Sequence, residues 1–205
     1  MLNNHHIFLI QMKILKTKND LKKAILNTKS LGFVPTMGSL HEGHISLIKK
    51  SKKNSKKTLV SIYINPTQFN KKKDFKSYPR NINEDIIILK RMKVDFLFIP
   101  NSKEIYNNKF KVNFKLSRFE KIMCANHRKG HFEGVLEVMD RLLNIVKPNN
   151  LFLGQKDYQQ QYLINKYLKK KHRFRLFVCK TIRNKYLALS SRNFNLSKEL
   201  LSKAN

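Results

Sequence analysis

Two histidines, His41 and His44, close the stretch Pro35-Thr36-Met37-Gly38-Ser39-Leu40-His41-Glu42-Gly43-His44. The apolar run Leu31-Gly32-Phe33-Val34 precedes it, and an amphipathic segment with Ile45, Leu47 and Ile48 follows. That order predicts a strand, a tight loop and a helix start. In such a turn the first backbone N–H groups and the positive end of the helix dipole are expected to face one point, which is a natural phosphate site. Imidazoles beside a phosphate donate hydrogen bonds to developing negative charge. The stretch therefore points to nucleotide chemistry.

Four further clusters carry polar groups suited to the same work. In Asn65-Pro66-Thr67-Gln68-Phe69-Asn70, Pro66 biases Asn65 to an extended backbone. Asn65 and Gln68 then offer neutral amides for the hydroxyl and carboxylate groups of a small substrate; the alternative is a polar turn. Leu153-Gly154-Gln155-Lys156-Asp157-Tyr158-Gln159-Gln160 again reads as strand, glycine and helix. There Lys156 suits a phosphate and Asp157 a Mg²⁺-associated carboxylate, or else Asp157 caps the helix and Lys156 is solvated. In Leu189-Ser190-Ser191-Arg192-Asn193, two hydroxyls and a guanidinium suit polyphosphate oxygens; the alternative is an ordinary capping loop. The segment His127-Arg128-Lys129-Gly130-His131 puts Arg128 near an anion as a weaker candidate, and His131 is read as structural or solvated. His5, His6 and His172 are set aside.

These clusters need a scaffold, and the apolar pattern supplies one. Strands are predicted at 31–34, 58–64, 94–99, 151–153 and 175–178, with helices at 44–51, 82–92, 132–146 and 158–169. Short, nearly all-apolar strands alternating with helices indicate an α/β fold with a parallel sheet covered on both faces. Ligands of such sheets bind at the carboxyl ends of the strands. The loops after Val34, Ile64 and Leu153 are the polar clusters that meet this rule.

The chain has 205 residues, enough for one full domain and the start of a second. Its formal charge of +30 comes from 34 Lys and 9 Arg, spread over every segment and accompanied by 22 Asn. Specific nucleic-acid sites recruit Arg together with stacking aromatics, so this Lys-dominated bias is read as compositional. No specific nucleic-acid partner is expected. Cys124 and Cys179 lack paired metal-ligand spacing and read as small structural residues. No long apolar span or signal-peptide pattern is present, so a cytoplasmic protein without membrane contact is expected. Ser197 is placed to cap a helix through Lys198-Glu199-Leu200-Leu201. The expected organisation is a ligand-binding domain over 1–193, with 194–205 the start of a truncated C-terminal domain.

In their joint order these pieces resemble the pantothenate synthetase (pantoate–β-alanine ligase) family of the nucleotidylyltransferase superfamily, whose mark is a His-x-Gly-His signature, here His41-Glu42-Gly43-His44. The other matching pieces are Val34–Gly38, Asn65–Phe69, Tyr78-Pro79-Arg80, Arg128 with Gly130-His131-Phe132, Gly154–Gln160 and Leu189–Asn193. The resemblance implies a Rossmann-like doubly wound domain and a two-step reaction. Pantoate attacks the α-phosphate of ATP to give pantoyl adenylate and pyrophosphate; β-alanine then displaces AMP to give pantothenate. It implies that Met37, Gly38, Ser39, Leu40, His41, Glu42, Gly43 and His44 cradle ATP, with His44 the catalytic proton donor and His41 and Lys156 stabilising charge. It implies that Gly154, Gln155, Lys156 and Asp157 bind phosphates, Asp157 with Mg²⁺, and that Leu189, Ser190, Ser191 and Arg192 close over the triphosphate. Ile182 falls at an adenine contact, and Gln68, Gln160, Asn65 and Arg128 fall at the pantoate and β-alanine pocket. A homodimer and a C-terminal lid domain belong to the same implication. Two departures stand out. Lys185-Tyr186-Leu187 is one residue shorter than the family's Asp-Gly turn, and Gln155 replaces a common Glu. The competing readings are another adenylyl-transferring enzyme of the superfamily, a basic nucleic-acid-binding protein, and an inactive truncated ligase.

Overall fold

The computed structural model describes residues 11–106 and 113–204; His5 and His6 lie outside them. In chain order the elements are β1 (Lys13–Leu15), α1 (Lys18–Ile25), β2 (Leu31–Thr36), α2 (Glu42–Asn54), β3 (Lys57–Ile62), α3 (Lys72–Ser77), α4 (Ile82–Arg91), β4 (Phe96–Phe98) and α5 (Ser102–Tyr106). There follow α6 (Cys124–His127), α7 (His131–Val146), β5 (Asn150–Gly154), α8 (Tyr158–His172), β6 (Arg175–Cys179), β7 (Arg183–Asn184), β8 (Leu187–Ala188) and α9 (Lys198–Ala204). Short 3₁₀ turns occupy Pro66–Gln68, Arg118–Glu120, Gln155–Asp157 and Ser191–Asn195.

Six strands form one parallel sheet in the order β1-β4-β3-β2-β5-β6. Successive residues of a strand point to opposite faces, and here both faces are buried. Phe33, Leu59 and Leu151 join a core with Leu21 of α1 and with α7 and α8. Their neighbours Val34, Val60 and Phe152 join a second core with Leu47 and Ile48 of α2 and Leu89 of α4. That is the doubly wound α/β arrangement the apolar runs predict. Strand order proceeds outward from β2 through β3 to β4 and then resumes on the other side at β5. The reversal lies between β2 and β5, and ligands of such sheets bind beyond the strand ends at that point.

Strand β1 and helix α1 are not among the anticipated elements: β1 is three residues long with only Leu15 buried, and the apolar face of α1, Leu21 with Ala24 and Ile25, spans two turns among lysines. Each anticipated strand and helix is present with its ends moved by a few residues; the strand expected over 58–64, for example, runs Lys57–Ile62. Ser197 opens α9 as anticipated, its Oγ accepting from Leu200 N at 3.2 Å. His172 is part of the packing: its Nε2 lies 2.6 Å from Asp140, which is buried on α7 and also bonded by Lys171. Lysines of the dense runs, such as Lys49, Lys72 and Lys169, are exposed. Among the described residues no helix is long and apolar enough to cross a membrane.

Helix α7 connects the core to the polar loops. It buries eleven of its sixteen residues, and Gly134 lets it touch the Pro66–Gln68 turn. A Cβ at Gly134 would stand 2.5 Å from Thr67 O. Gly134→Ala is therefore expected to push that turn outward and to lower stability by about 1–3 kcal/mol, measured by urea denaturation.

Candidate active site

The loop after β2 is held by a buried carboxylate. Asp85 of α4 is 1% exposed and accepts from Ser39 N at 2.8 Å and Leu40 N at 2.7 Å. Burial raises its pKa, and the two N–H bonds oppose that shift. Gly38 at φ +80° is required here, since a Cβ would stand 2.9 Å from Asp85 Oδ2. Ser39 also adopts a left-handed backbone, at φ 53°. Thr36 Oγ1 accepts from Gly38 N at 3.1 Å and donates to Ser61 O at 2.8 Å.

This clasp corrects the expectation that the loop and helix amides are free for phosphate. The N–H groups of Ser39 and Leu40 belong to Asp85. In the first turn of α2, Gly43 N donates to His41 Nδ1 at 3.1 Å and His44 N to His41 O at 2.8 Å. Gly38, Ser39 and Leu40 lie behind the cleft, and Glu42 is exposed at the start of α2. The residues of this stretch that reach the cleft are Pro35, Thr36, Met37, His41, Gly43 and His44.

Both histidines are bound so that their tautomers follow from the backbone. His41 Nδ1 accepts from Gly43 N, and His44 Nδ1 accepts from His41 N at 3.3 Å, a reciprocal cap at the head of α2. An accepting Nδ1 carries no proton, so each neutral ring carries its proton on Nε2. The rings lie 4.2 Å apart between centroids. Burial, with the Lys156 charge, lowers His41 to a pKa of about 4. Burial, His41 and Lys156 lower His44 to about 3. Two neutral N–H donors thus line one wall.

A third histidine, expected to be structural or solvated, also lines the cleft. His131 is buried at the start of α7 and places Nδ1 2.6 Å from Gln68 O. A carbonyl only accepts, so this ring is protonated on Nδ1. Gln68 itself donates from Nε2 to Met37 Sδ at 3.0 Å and faces the cleft. Asn65 does not line it: the residue is buried, with Nδ2 donating to Thr67 Oγ1 and Gly134 O, and Oδ1 accepting from Tyr106 OH at 2.7 Å. It braces the turn that carries Gln68. No local signal in the sequence separates bracing from lining.

The loop after β5 supplies the charged groups. Lys156 and Asp157 are exposed at the cleft, and Lys156 Nζ donates to Leu189 O at 3.0 Å. Gln160 faces the same space. Gln155 is exposed, and Gln159 ties down α6 and the segment before it through Ala125 N, Glu120 O and Ile122 O. In the last polar turn, Ser191 is buried and donates to Ser39 O at 3.0 Å and Gly38 O at 3.3 Å. Ser190 Oγ accepts from Arg192 N at 3.4 Å. Both hydroxyls hold the turn, and the guanidinium of Arg192 is bonded to Asp74 of α3. The shortened stretch before it forms a hairpin of β7 and β8, with Lys185 at φ 48° where glycine is usual.

These walls border an open cleft at the carboxyl ends of β2 and β5, about 1000 Å³ of empty space with the adjoining solvent included. A side chamber lined by His41, Gly43, His44, Gly154, Ile182 and Leu189 among others opens beside it. Pro35, Val135, Val138, Met139 and Leu142 give the main chamber an apolar floor. Arg128 lines it too, its pKa lowered by burial and by Arg192. Among the described residues no group of three His, Cys, Asp or Glu could hold a metal ion. The donor set, one exposed Asp157 carboxylate, fits a Mg²⁺ carried on substrate phosphates rather than a protein cage.

A family model described as pantoate-beta-alanine ligase matches residues 12–205. A pantothenate synthetase of Francisella tularensis subsp. novicida is 44% identical over 195 residues, which are 93% of this chain and 74% of that protein. Another, from Pseudothermotoga lettingae, is 41% identical over 193 residues, 92% of this chain and 69% of that protein. Among solved structures, the pantoate-beta-alanine ligase from Francisella tularensis, complexed with beta-gamma ATP and beta-alanine, matches with a TM-score of 0.89 at 42% identity, over 94% of this chain and 77% of that one. The pantothenate synthetase from Thermus thermophilus matches with a TM-score of 0.89 at 34% identity, over 94% and 71%. On the span of the family model and the identity of these relatives, the chain belongs to the pantoate–β-alanine ligase family.

Proposed function

We propose that this cleft condenses pantoate with β-alanine, using ATP, through a pantoyl-adenylate intermediate. The observation that carries the reading is the pair of neutral imidazoles, both protonated on Nε2, beside Lys156 at the strand reversal of a family member. In the first step a pantoate carboxylate oxygen bonds to the α-phosphorus as the bond to the β-phosphate bridging oxygen breaks, and pyrophosphate leaves with that electron pair. Negative charge grows on the α-phosphoryl oxygens. His41 and His44 offer hydrogen bonds there and Lys156 a full positive charge, groups already oriented before reaction. In the second step the β-alanine amine bonds to the acyl carbon, the bond to the adenylate oxygen breaks, AMP leaves with that electron pair, and the proton lost by the nitrogen passes to solvent.

The remaining groups sort by chemistry. The side chamber by Gly154, Ile182 and Leu189 takes the nucleoside end of ATP, and Arg192 takes its phosphates. Gln68 and Gln160 offer amides to the pantoate hydroxyls and carboxylate, while Val138, Met139 and Leu142 suit its geminal methyls. Arg128 suits a carboxylate of the second substrate. Asp157 would hold a Mg²⁺ bound to the phosphates; that ion would neutralise triphosphate charge. Residues up to 193 carry all these contacts, and α9 opens the segment that follows. A cytoplasmic location and a homodimer belong to the same reading and rest on the family resemblance.

The wild-type chain with ATP, Mg²⁺, pantoate and β-alanine is expected to release pyrophosphate and AMP only when pantoate is present. His44→Ala is expected to slow that release by about 10²–10³-fold. A wild-type chain that releases no pantoate-dependent pyrophosphate sinks the proposal.

The tautomers also give a pH signature in the ligand-free chain. Unfolded histidines take up protons as the pH falls through 6.5, whereas the native rings stay neutral down to about 4 at His41 and about 3 at His44. Their contribution to stability is therefore present above pH 6.5 and lost as the pH falls toward 3. Denaturation of the wild type and of a His41→Gln/His44→Gln variant, compared at about pH 7 and about pH 5, is expected to show the steeper loss in the wild type.

A further inference from the structure

Arg192 is the cation of the cleft whose side chain is most completely held. Its Nε donates to Asp74 Oδ1 at 3.0 Å and its Nη2 to Asp74 Oδ2 at 2.8 Å, a bidentate pair across 118 residues of sequence. The guanidinium carbon lies 5.2 Å from the centre of the Tyr78 ring and 5.9 Å from that of Phe69. The main chain beside it is tied as well. Ser191 Oγ bonds to the carbonyls of Gly38 and Ser39, and Asn195 Nδ2 donates to Ser77 O at 3.2 Å.

The pair is not a buried structural bridge. The side chains are 41% and 35% exposed, a setting in which an ion pair adds little to stability. What it does fix is direction. Arginine has five N–H donors in a rigid fork, and Asp74 takes two along one edge, leaving Nη1 uncommitted to that carboxylate. The aromatic faces of Tyr78 and Phe69 limit rotation of the plane. A long flexible side chain is thereby ordered before any ligand arrives, and an anion that meets it does not have to order it. Asp74 itself is not among the residues lining the cleft, whereas Arg192 and Tyr78 are.

We propose that Asp74 is a positioning residue for the ligase reaction, acting on ATP through Arg192. This rests on the ligase reading above, in which Arg192 meets the phosphates. The opposing idea is that Asp74 competes with those phosphates for the guanidinium, and it predicts the reverse change in affinity.

The test is a double-mutant cycle with Asp74→Ala, Arg192→Ala and both together, with Asp74→Glu and Asp74→Asn alongside. Two readouts serve: equilibrium binding of ATP with Mg²⁺, and KM and kcat for pantoate-dependent pyrophosphate release. Asp74→Ala is expected to weaken ATP binding and to lower kcat/KM for ATP by about 10–100-fold, with KM for pantoate and the melting temperature unchanged. Asp74→Glu is expected to restore ATP binding more fully than Asp74→Asn, since it keeps the charged acceptors. In the Arg192→Ala background, removing Asp74 is expected to change ATP binding by no more than about twofold. An equal loss in that background, or tighter ATP binding by Asp74→Ala, overturns the proposal. A wild-type chain that binds ATP but releases no pyrophosphate overturns the ligase reading instead, and the binding cycle still decides the role of Asp74.

Discussion

The site depends on one buried carboxylate. Asp85 accepts the N–H groups of Ser39 and Leu40 inside the protein, where an unpaired backbone donor costs about 1–3 kcal/mol. Ser191 donates to the carbonyls of Gly38 and Ser39 from the other direction. The turn after β2 is thus gripped on its donors by α4 and on its acceptors by the Ser-Ser-Arg turn. Its left-handed residues, Gly38 and Ser39, keep that backbone because both sets of partners demand it. Everything downstream follows from where this turn releases the chain: Met37 beside Gln68, His41 at the head of α2, and the His44 ring tilted against that of His41.

A chain of net charge +30 presents an electrostatic difficulty at an anion site. Clustered cations repel one another, and Arg128 feels this as a lowered pKa from burial and from Arg192. The cleft meets the difficulty in two ways. His41 and His44 stay uncharged, their Nδ1 atoms turned to backbone donors, so they offer N–H groups without adding to the repulsion. Arg192 keeps its charge against Asp74, which holds the guanidinium and offsets its field. An anionic substrate then enters a space whose donors are ordered and whose positive charge is partly balanced.

Much of the architecture was legible because it rests on short-range pattern. The runs Leu31–Val34 and Leu151–Leu153 carry an apolar residue at each successive buried position, as strands of a sheet covered on both faces require. Lys13–Ile25 was illegible for the converse reason. Strand β1 has one buried leucine in three residues, and the helical spacing of Leu21, Ala24 and Ile25 in α1 lasts only two turns among lysines. Within the site, His41, His44, Gln68, Lys156, Gln160 and Arg192 were readable from local motifs, and the cleft brings all six together. Asp74, Asp85 and His131 were not. Their roles lie in partners 118, 46 and 63 residues away, and a helical stretch containing an Asp looks the same whether that Asp meets water or an arginine.

The sequence by itself determined the strand-and-helix alternation, the order of the polar loops and the family they belong to, because periodicity and motif spacing are local properties of the chain. Tertiary structure alone decided which polar groups face the ligand and which hold the walls. Asn65, Ser39, Leu40 and Ser191 lie within motif stretches, yet the Asn65 amide, the backbone N–H groups of Ser39 and Leu40 and the Ser191 hydroxyl are bonded within the protein. Spacing places a polar group at a turn. Its function is set by the nearest partner in space, since the great majority of buried donors and acceptors are satisfied by whatever the fold brings to them.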